Sequence, residues 1–357
     1  MPAGFSSYDA VGVKEDISDI ITNISPTKTP FQTAIGNEKS TQKFFQWQED
    51  SLRAAAANQQ VEGFQVTSDL STATMVPTVM RSNNTQILAE VPETTGTMDV
   101  TSTYGRARES AYQMAKSAAQ VKRDLEVAFV GMGYNAPVNT NKTTARVMGS
   151  FEYQVGQPAS NNLYVTTQGV GSNADYTNLI FTGTANGGFT ETNMLLALQN
   201  SYNQGAEPNT VSIIPGRAIQ VAGFAMAQTA YAGGGSPTAA ASYRQKFNDS
   251  TTVVNAVTMY KSPFGDVKIV LNRFQCGSPL APSTQHVHTL IYDPSQWVKV
   301  TLRPWFREVL AKNGDSLRQM IVGEFSLKHK NWRASSVIVE NTVPTAGTTN
   351  MTTAATW

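Results

Sequence analysis

The stretch 104–132, YGRARESAYQMAKSAAQVKRDLEVAFVGM, constrains this chain more than any other. Apolar or small residues fall at Ala107, Ala111, Met114, Ala118, Val121, Leu125 and Phe129. Steps of three and four keep one face of an α-helix turned toward a partner. No proline interrupts the run, good helix formers fill most of the rest, and Gly131 and Gly133 supply a stop. About 26 helical residues make a rod of roughly 40 Å, where the mean soluble helix has roughly 11–12 residues. The other face carries Arg106, Arg108, Glu109, Lys116, Lys122, Arg123 and Glu126. The expectation is a one-sided helix lying on a sheet, with its charges toward water or a neighbouring molecule.

The segments before this helix have no core of their own. Residues 15–25, EDISDIITNIS, place Ile17, Ile20, Ile21 and Ile24 on one stripe of a short amphipathic helix that Pro26 and Pro30 end. Residues 36–100 have extended character, with a polar middle at 51–73 and strand-like ends. Phe44, Phe45, Trp47, Val76, Val79, Ile87 and Leu88 need cover from somewhere. A hairpin projecting onto a neighbouring subunit would supply it. The contact candidates are therefore Ile17, Ile20, Ile21, Ile24, Phe44, Phe45, Trp47, Val79 and Ile87.

After the long helix, 133–188 reads as loop-rich, with short strands at 151–155, 162–166 and 178–181. Residues 190–204 form an amphipathic helix with Thr190 as N-cap and Gly205 as stop. A buried strand at 211–215 and a helix at 218–231 follow, then strands at 253–260, 267–274 and 286–292. Residues 297–330 alternate around Asn313-Gly314 and predict a long β-hairpin. Residues 337–339 make a last buried strand, and 344–357 a flexible tail. The class is α+β. The 190–204 and 218–231 helices should cover one sheet, and the long helix should lie on the long hairpin.

The balance of 27 basic and 26 acidic residues gives a formal charge of +1, unlike a strongly basic nucleic-acid binder. Charged residues are only 15% of the chain, against a typical ~25%. That suits a surface covered by other copies, and equally an adhesin or a secreted β protein. The single Cys276 excludes an intramolecular disulfide. No signal peptide and no membrane span are expected.

The order arm, extended hairpin, long helix, α/β unit, long hairpin, final strand resembles the major capsid protein of tailed double-stranded DNA phages, whose fold recurs in encapsulins and the herpesvirus capsid floor. The residues that carry the resemblance are EDISDIITNISPTKTPFQTAIG at 15–36, FQWQEDSL at 45–52, KRDLE at 122–126, YKSPFGDVKIVLNRF at 260–274 and LAKNGDS at 310–316. The resemblance implies an arm at 1–35, an extended loop at 36–100 and a flexible tail at 344–357. It implies a peripheral domain at 101–146 and 294–333 with the spine helix, and an axial domain at 147–293 and 334–343. It implies a structural subunit of an icosahedral head that assembles into pentamers and hexamers around packaged double-stranded DNA. Portal, scaffolding and decoration proteins are implied partners, the host cytoplasm the place of assembly, and the virion the destination. Weak DNA contact is expected through Arg106, Arg108 and Lys116.

No enzyme constellation supports a catalytic reading: G-x-S-x-G, the phosphate loop and H-E-x-x-H are all missing from the sequence. His286 and His288 stand two apart on a strand, but no Cys or third His near them completes a metal site, so both are expected as partly exposed strand residues. No catalytic, cofactor or metal residues are assigned. Lys39 and Lys43 lie at the loop's edge, without a pattern marking the Lys–Asn crosslink some shells of this fold form. An adhesin-like surface-binding protein is the alternative, against which stands the lack of any internal repeat.

Overall fold

The computed structural model describes residues 24–53, 55–65, 78–131, 135–138, 142–155, 179–182, 189–215, 217–218, 221, 258–275, 287–312 and 314–340. In chain order these form α1 (Pro30–Ala34), β1 (Gly36–Lys39), β2 (Phe44–Glu49), β3 (Val79–Asn84), β4 (Gln86–Glu90), β5 (Glu93–Thr95), α2 (Gly96–Val100) and α3 (Glu109–Glu126). Then come α4 (Phe151–Val155), β6 (Leu179–Thr182), α5 (Glu191–Asn203), β7 (Thr210–Ile213), β8 (Met259–Ser262), β9 (Gly265–Leu271) and β10 (Val287–Tyr292). The chain closes with β11 (Trp297–Val309), β12 (Ser316–His329) and β13 (Ser336–Glu340).

The strands make three sheets. One is five-stranded, in the order β1-β11-β12-β4, with β5 pairing β12 beyond the end of β4. Its spine is the expected long hairpin, from Trp297↔His329 to Val309↔Gln319, with Gly314 at φ +105° in the turn. The second is six-stranded, in the order β6-β13-β10-β7-β9-β8, and α5 packs on it as expected. Thr190 caps α5 through Asn193 N–H, and Gly205 at φ +82° stops it. The third is the two-stranded hairpin β2-β3. Residues 162–166 and most of 218–231 lie outside the described residues.

The long helix is shorter than its sequence pattern. Gly105 takes φ +75° and Thr103 bridges Arg106, so the chain turns there and α3 begins at Glu109. Its 18 residues span about 27 Å and continue into a π-helical turn, Val127–Gly131. Met114, Val121, Leu125 and Phe129 are buried as the stripe requires, whereas Ala107 and Ala111 are exposed. Glu109 and Glu126, expected on the outer face, are buried. Ser117 Oγ donates to Glu90 Oε1 of β4 at 3.2 Å, so α3 lies across the five-stranded sheet.

Residues 151–155 form a helical turn rather than the expected strand. FEYQV fits both periods, because Phe151 and Val155 are four apart as well as being alternate apolar positions. Packing decides it: both side chains enter one core, and Ser150 C=O accepts Gln154 N–H at 3.1 Å.

Two cores share the central strands. Phe31, Leu125, Phe129, Phe151, Trp297, Phe325 and Leu327 meet Leu290, Tyr292 and Val337 in the first. Met194, Leu198, Val211, Ile213 and Val267 meet Ile291 and Ile338 in the second. Alternate residues of β10 and β13 thus serve opposite faces of one sheet, the pattern of a strand buried on both sides. His288, expected to be partly exposed, is buried, with Nδ1 3.0 Å from Glu152 Oε1; His286 lies outside the described residues.

Burial pushes the Glu152 carboxyl up to about 8 from an ordinary 4.5. Between those values the folded chain holds a proton that the unfolded chain has released. Stability therefore falls as pH rises through that window and levels off above it. Thermal unfolding at a series of pH values should show wild type losing stability relative to Glu152→Gln between pH 5 and about 8. A difference independent of pH would contradict the assignment.

Candidate assembly interface

The surface-bearing elements are fixed by buried polar residues. Glu126 is the first. Its Oε1 accepts Phe31 N–H at 2.8 Å and the Asn272 side-chain amide at 2.8 Å, while Oε2 accepts Gln32 N–H at 2.9 Å. A carboxylate on the spine helix thus takes up free amides at the start of α1. Burial pushes the carboxyl up, and the amide donors of Gln32, Phe31 and Asn272 oppose that push. Phe31, 1% exposed, sits edge-on to Phe129, Phe151, Tyr292 and Trp297, with ring centroids 5.3–6.3 Å apart. Neither residue was among the candidates read from sequence. The signal was present in KRDLE, PFQTA and VLNRF, which supply Glu126, Phe31 and Asn272, but only the fold brings these stretches together.

The hairpin β2-β3 is fixed next. Asn83 donates to Leu327 C=O at 2.7 Å and accepts Gly149 N–H at 2.8 Å. Thr85 Oγ1 donates to Glu324 at 2.6 Å, and Ser326 Oγ to Asn84 C=O at 2.7 Å. Glu324 also takes Arg303 at 3.0 Å and a short contact from Arg146. Along the inner face, Phe45 stacks on Trp47, and Trp47 meets His329 edge-on at 5.1 Å. Glu49 lies 3.0 Å from His329 Nδ1 and 3.0 Å from Arg81 Nε. Arg81 in turn covers Trp332. Burial works to raise the Glu49 pKa, but His329 and Arg81 outweigh it and hold the carboxyl below its usual range. Burial likewise holds His329 below the ordinary histidine range, with Glu49 opposing.

The candidates divide accordingly. Phe45 and Trp47 are half-covered by their own subunit. Phe44, Val79 and Ile87 are exposed, as are Met80 and Val91 beside them. Leu88, expected to need outside cover, packs against the first core. Ile24 is exposed and not helical, while Ile17, Ile20 and Ile21 lie outside the described residues. The stretch 36–100 is not one free excursion. β1 pairs parallel with β11, and β4 and β5 pair with β12, because these short strands complete the hydrogen bonding of the long hairpin's edges.

The DNA candidates are also separated. Arg106 lies 2.6 Å from Glu109 and over Tyr112. Lys116 lines a cavity of about 460 Å³ with Glu90, Glu93 and Glu109. Arg108 is 72% exposed and 3.9 Å from Asp99.

Solved structures from a phage and from a GTA capsid share this fold. The chain superposes on a solved structure from Microbacterium phage Oxtober96 with a TM-score of 0.59 at 12% identity, covering 95% of this chain and all of that one. On the capsid of a native GTA particle the TM-score is 0.57 at 10% identity, covering 94% and 98%. The major capsid protein of Escherichia phage Phieco32 is 29% identical, over 94% of this chain and 97% of that protein. Residues 3–342 match the SU10 major capsid protein model, and the chain belongs to that family. It is a structural shell subunit of a phage head and self-associates into capsomers in the virion. The adhesin-like alternative finds no support in these relatives.

Asn83→Ala would leave Gly149 N–H and one bond of Leu327 C=O unmade in the interior. It should destabilise the subunit by about 1–3 kcal/mol in denaturant unfolding. Gln46→Ala, at an exposed position of β2, should stay within about 0.5 kcal/mol. Equal effects would show that Asn83 does not anchor the hairpin.

Proposed function

We propose that the subunit forms pentamers and hexamers of an icosahedral shell around packaged double-stranded DNA, assembled in the host cytoplasm. The supporting observation is the hairpin β2-β3: its inner face is bound by its own subunit, and its outer face leaves Phe44 and Met80 in water. Beside it, Ile87, Ala89 and Val91 form an exposed row along β4 and its end. A contiguous exposed apolar row of this kind marks a contact surface. The two surfaces are different patches of one molecule, so joining them between copies is a heterologous contact, which closes rings when the rotation fits.

The division that fits this reading has an arm at 1–35, an extended loop at 36–100 and a C-terminal segment at 344–357. The peripheral domain takes 101–146 and 294–333, and the axial domain 147–293 and 334–343. Ile17, Ile20, Ile21 and Ile24 dock the arm on its own or an adjacent peripheral domain. Portal and scaffolding or decoration proteins complete the head. Contact with DNA is weak and independent of sequence, and the role is structural rather than catalytic.

Phe44→Asp with Ile87→Asp places charge on both exposed surfaces. Negative-stain microscopy should show loss of rings and shells, while circular dichroism and melting temperature of the subunit stay near those of the parent. Normal particles from this variant would remove the hairpin from the interface.

A further inference from the structure

Three lysines lie on elements that meet on one side of the molecule: Lys122 of α3, Lys299 of β11 and Lys39 of β1. Lys122 belongs to the flank of α3 that holds α1: its C=O accepts the Gln32 side-chain amide at 2.8 Å, one turn before Glu126. Lys299 of β11 reaches over the Phe325 ring, with Nζ 5.9 Å from the centroid, on the sheet face that α3 covers. Lys39 of β1 is in register with Thr301, two places along from the Asn37–Lys299 pair, so it shares that face.

None of the three forms an ion pair among the described residues. The intervening Glu38 turns to the opposite face, where Lys328 holds it at 2.9 Å. Asp124 faces the other flank of the helix, toward Glu90. Burial holds Lys299 below the usual lysine range, and the charge of Lys122 adds to that. Arg106 and Lys116, by contrast, already stand among Glu90, Glu93 and Glu109.

We infer that Lys39, Lys122 and Lys299 form a phosphate-binding patch for the backbone of duplex DNA, and that DNA contact lies here rather than at Arg106, Arg108 and Lys116. The inference rests on the shell reading above, and through it on DNA being the polyanion enclosed. Lysine ammonium groups bind phosphate as point charges without reading bases, so the contact is independent of sequence and sensitive to salt. A patch of three charges gives weak binding, which suits a genome that must leave.

The test uses the full chain and a labelled 30-base-pair duplex, with anisotropy followed over a salt series. Each phosphate contact contributes a slope of about −0.9 in log K against log salt. Lys39→Gln, Lys122→Gln and Lys299→Gln together should flatten that slope by about 2–3. The control with the same charge change, Arg108→Gln, Lys116→Gln and Lys261→Gln, should leave it within about one unit of the parent. Lys299→Arg should keep the parent slope, which separates charge from folding. Equal losses in both triples would reduce the patch to a general charge effect and overturn the proposal. So would an unchanged slope. Loss of assembly without loss of DNA binding would overturn it in another way, by assigning the patch to an acidic protein segment such as residues 15–19. Microscopy of the lysine triple keeps the shell reading separate: particles that form but bind DNA no differently from the parent sink only this inference.

Discussion

A single buried carboxylate organises the centre of this subunit. Glu126 ends the α-helical part of the spine, takes two backbone amides from α1 and one side-chain amide from the end of β9. A buried carboxylate is costly unless its acceptor sites are filled. Here three donors fill them, two from α1 and one from far along the chain at Asn272. The arrangement also fixes Phe31 among four other aromatic rings, where the first core joins both large sheets. The strand that follows α1 then runs directly into the edge of β11. α1, α3 and the long hairpin are thereby set relative to one another within the subunit.

The same logic holds the β2-β3 hairpin. Asn83, Asn84, Thr85, Glu324 and Ser326 are buried and hydrogen-bonded, and Trp47, His329, Arg81 and Trp332 continue the contact along its inner face. Polar networks of this kind specify one geometry because any shift leaves buried groups unpaired. A shell subunit needs that property. Its contact surfaces must be aimed without help, since every copy must present the same faces to its neighbours. The exposed apolar residues Phe44, Met80 and Ile87 stand on strands of this frame, with Val91 just past the end of β4.

Much of the frame could be read from sequence because it is periodic. The β11-β12 hairpin, the caps of α5 and the last strand β13 follow alternation, Asn-Gly and Thr/Gly punctuation, all local signals. Met114, Val121, Leu125 and Phe129 followed from helical spacing. The failures share one cause: they depend on contacts distant in sequence. Glu126 looked like a surface charge because its partners are about 95 and 146 residues away. Residues 151–155 fit two periods, and the core chose between them. Gly105 looked like part of a helix, whereas its positive φ turns the chain before α3 begins. At the candidate interface, Phe44, Val79 and Ile87 were legible as apolar residues lacking local partners. Phe45, Trp47 and Leu88 looked the same but find theirs within the subunit.

If Glu126 holds α1 to the spine, the amides of Phe31 and Gln32 should be among the slowest to exchange in the arm, and should open only with the whole subunit. Hydrogen exchange followed by mass spectrometry or NMR, on the parent and on Glu126→Ala, measures this directly. The account predicts strong protection at residues 31–32 in the parent, and in the variant a selective loss there while the β11-β12 pairing stays protected. Fast exchange of these two amides in the parent, or protection unchanged by the substitution, would contradict it.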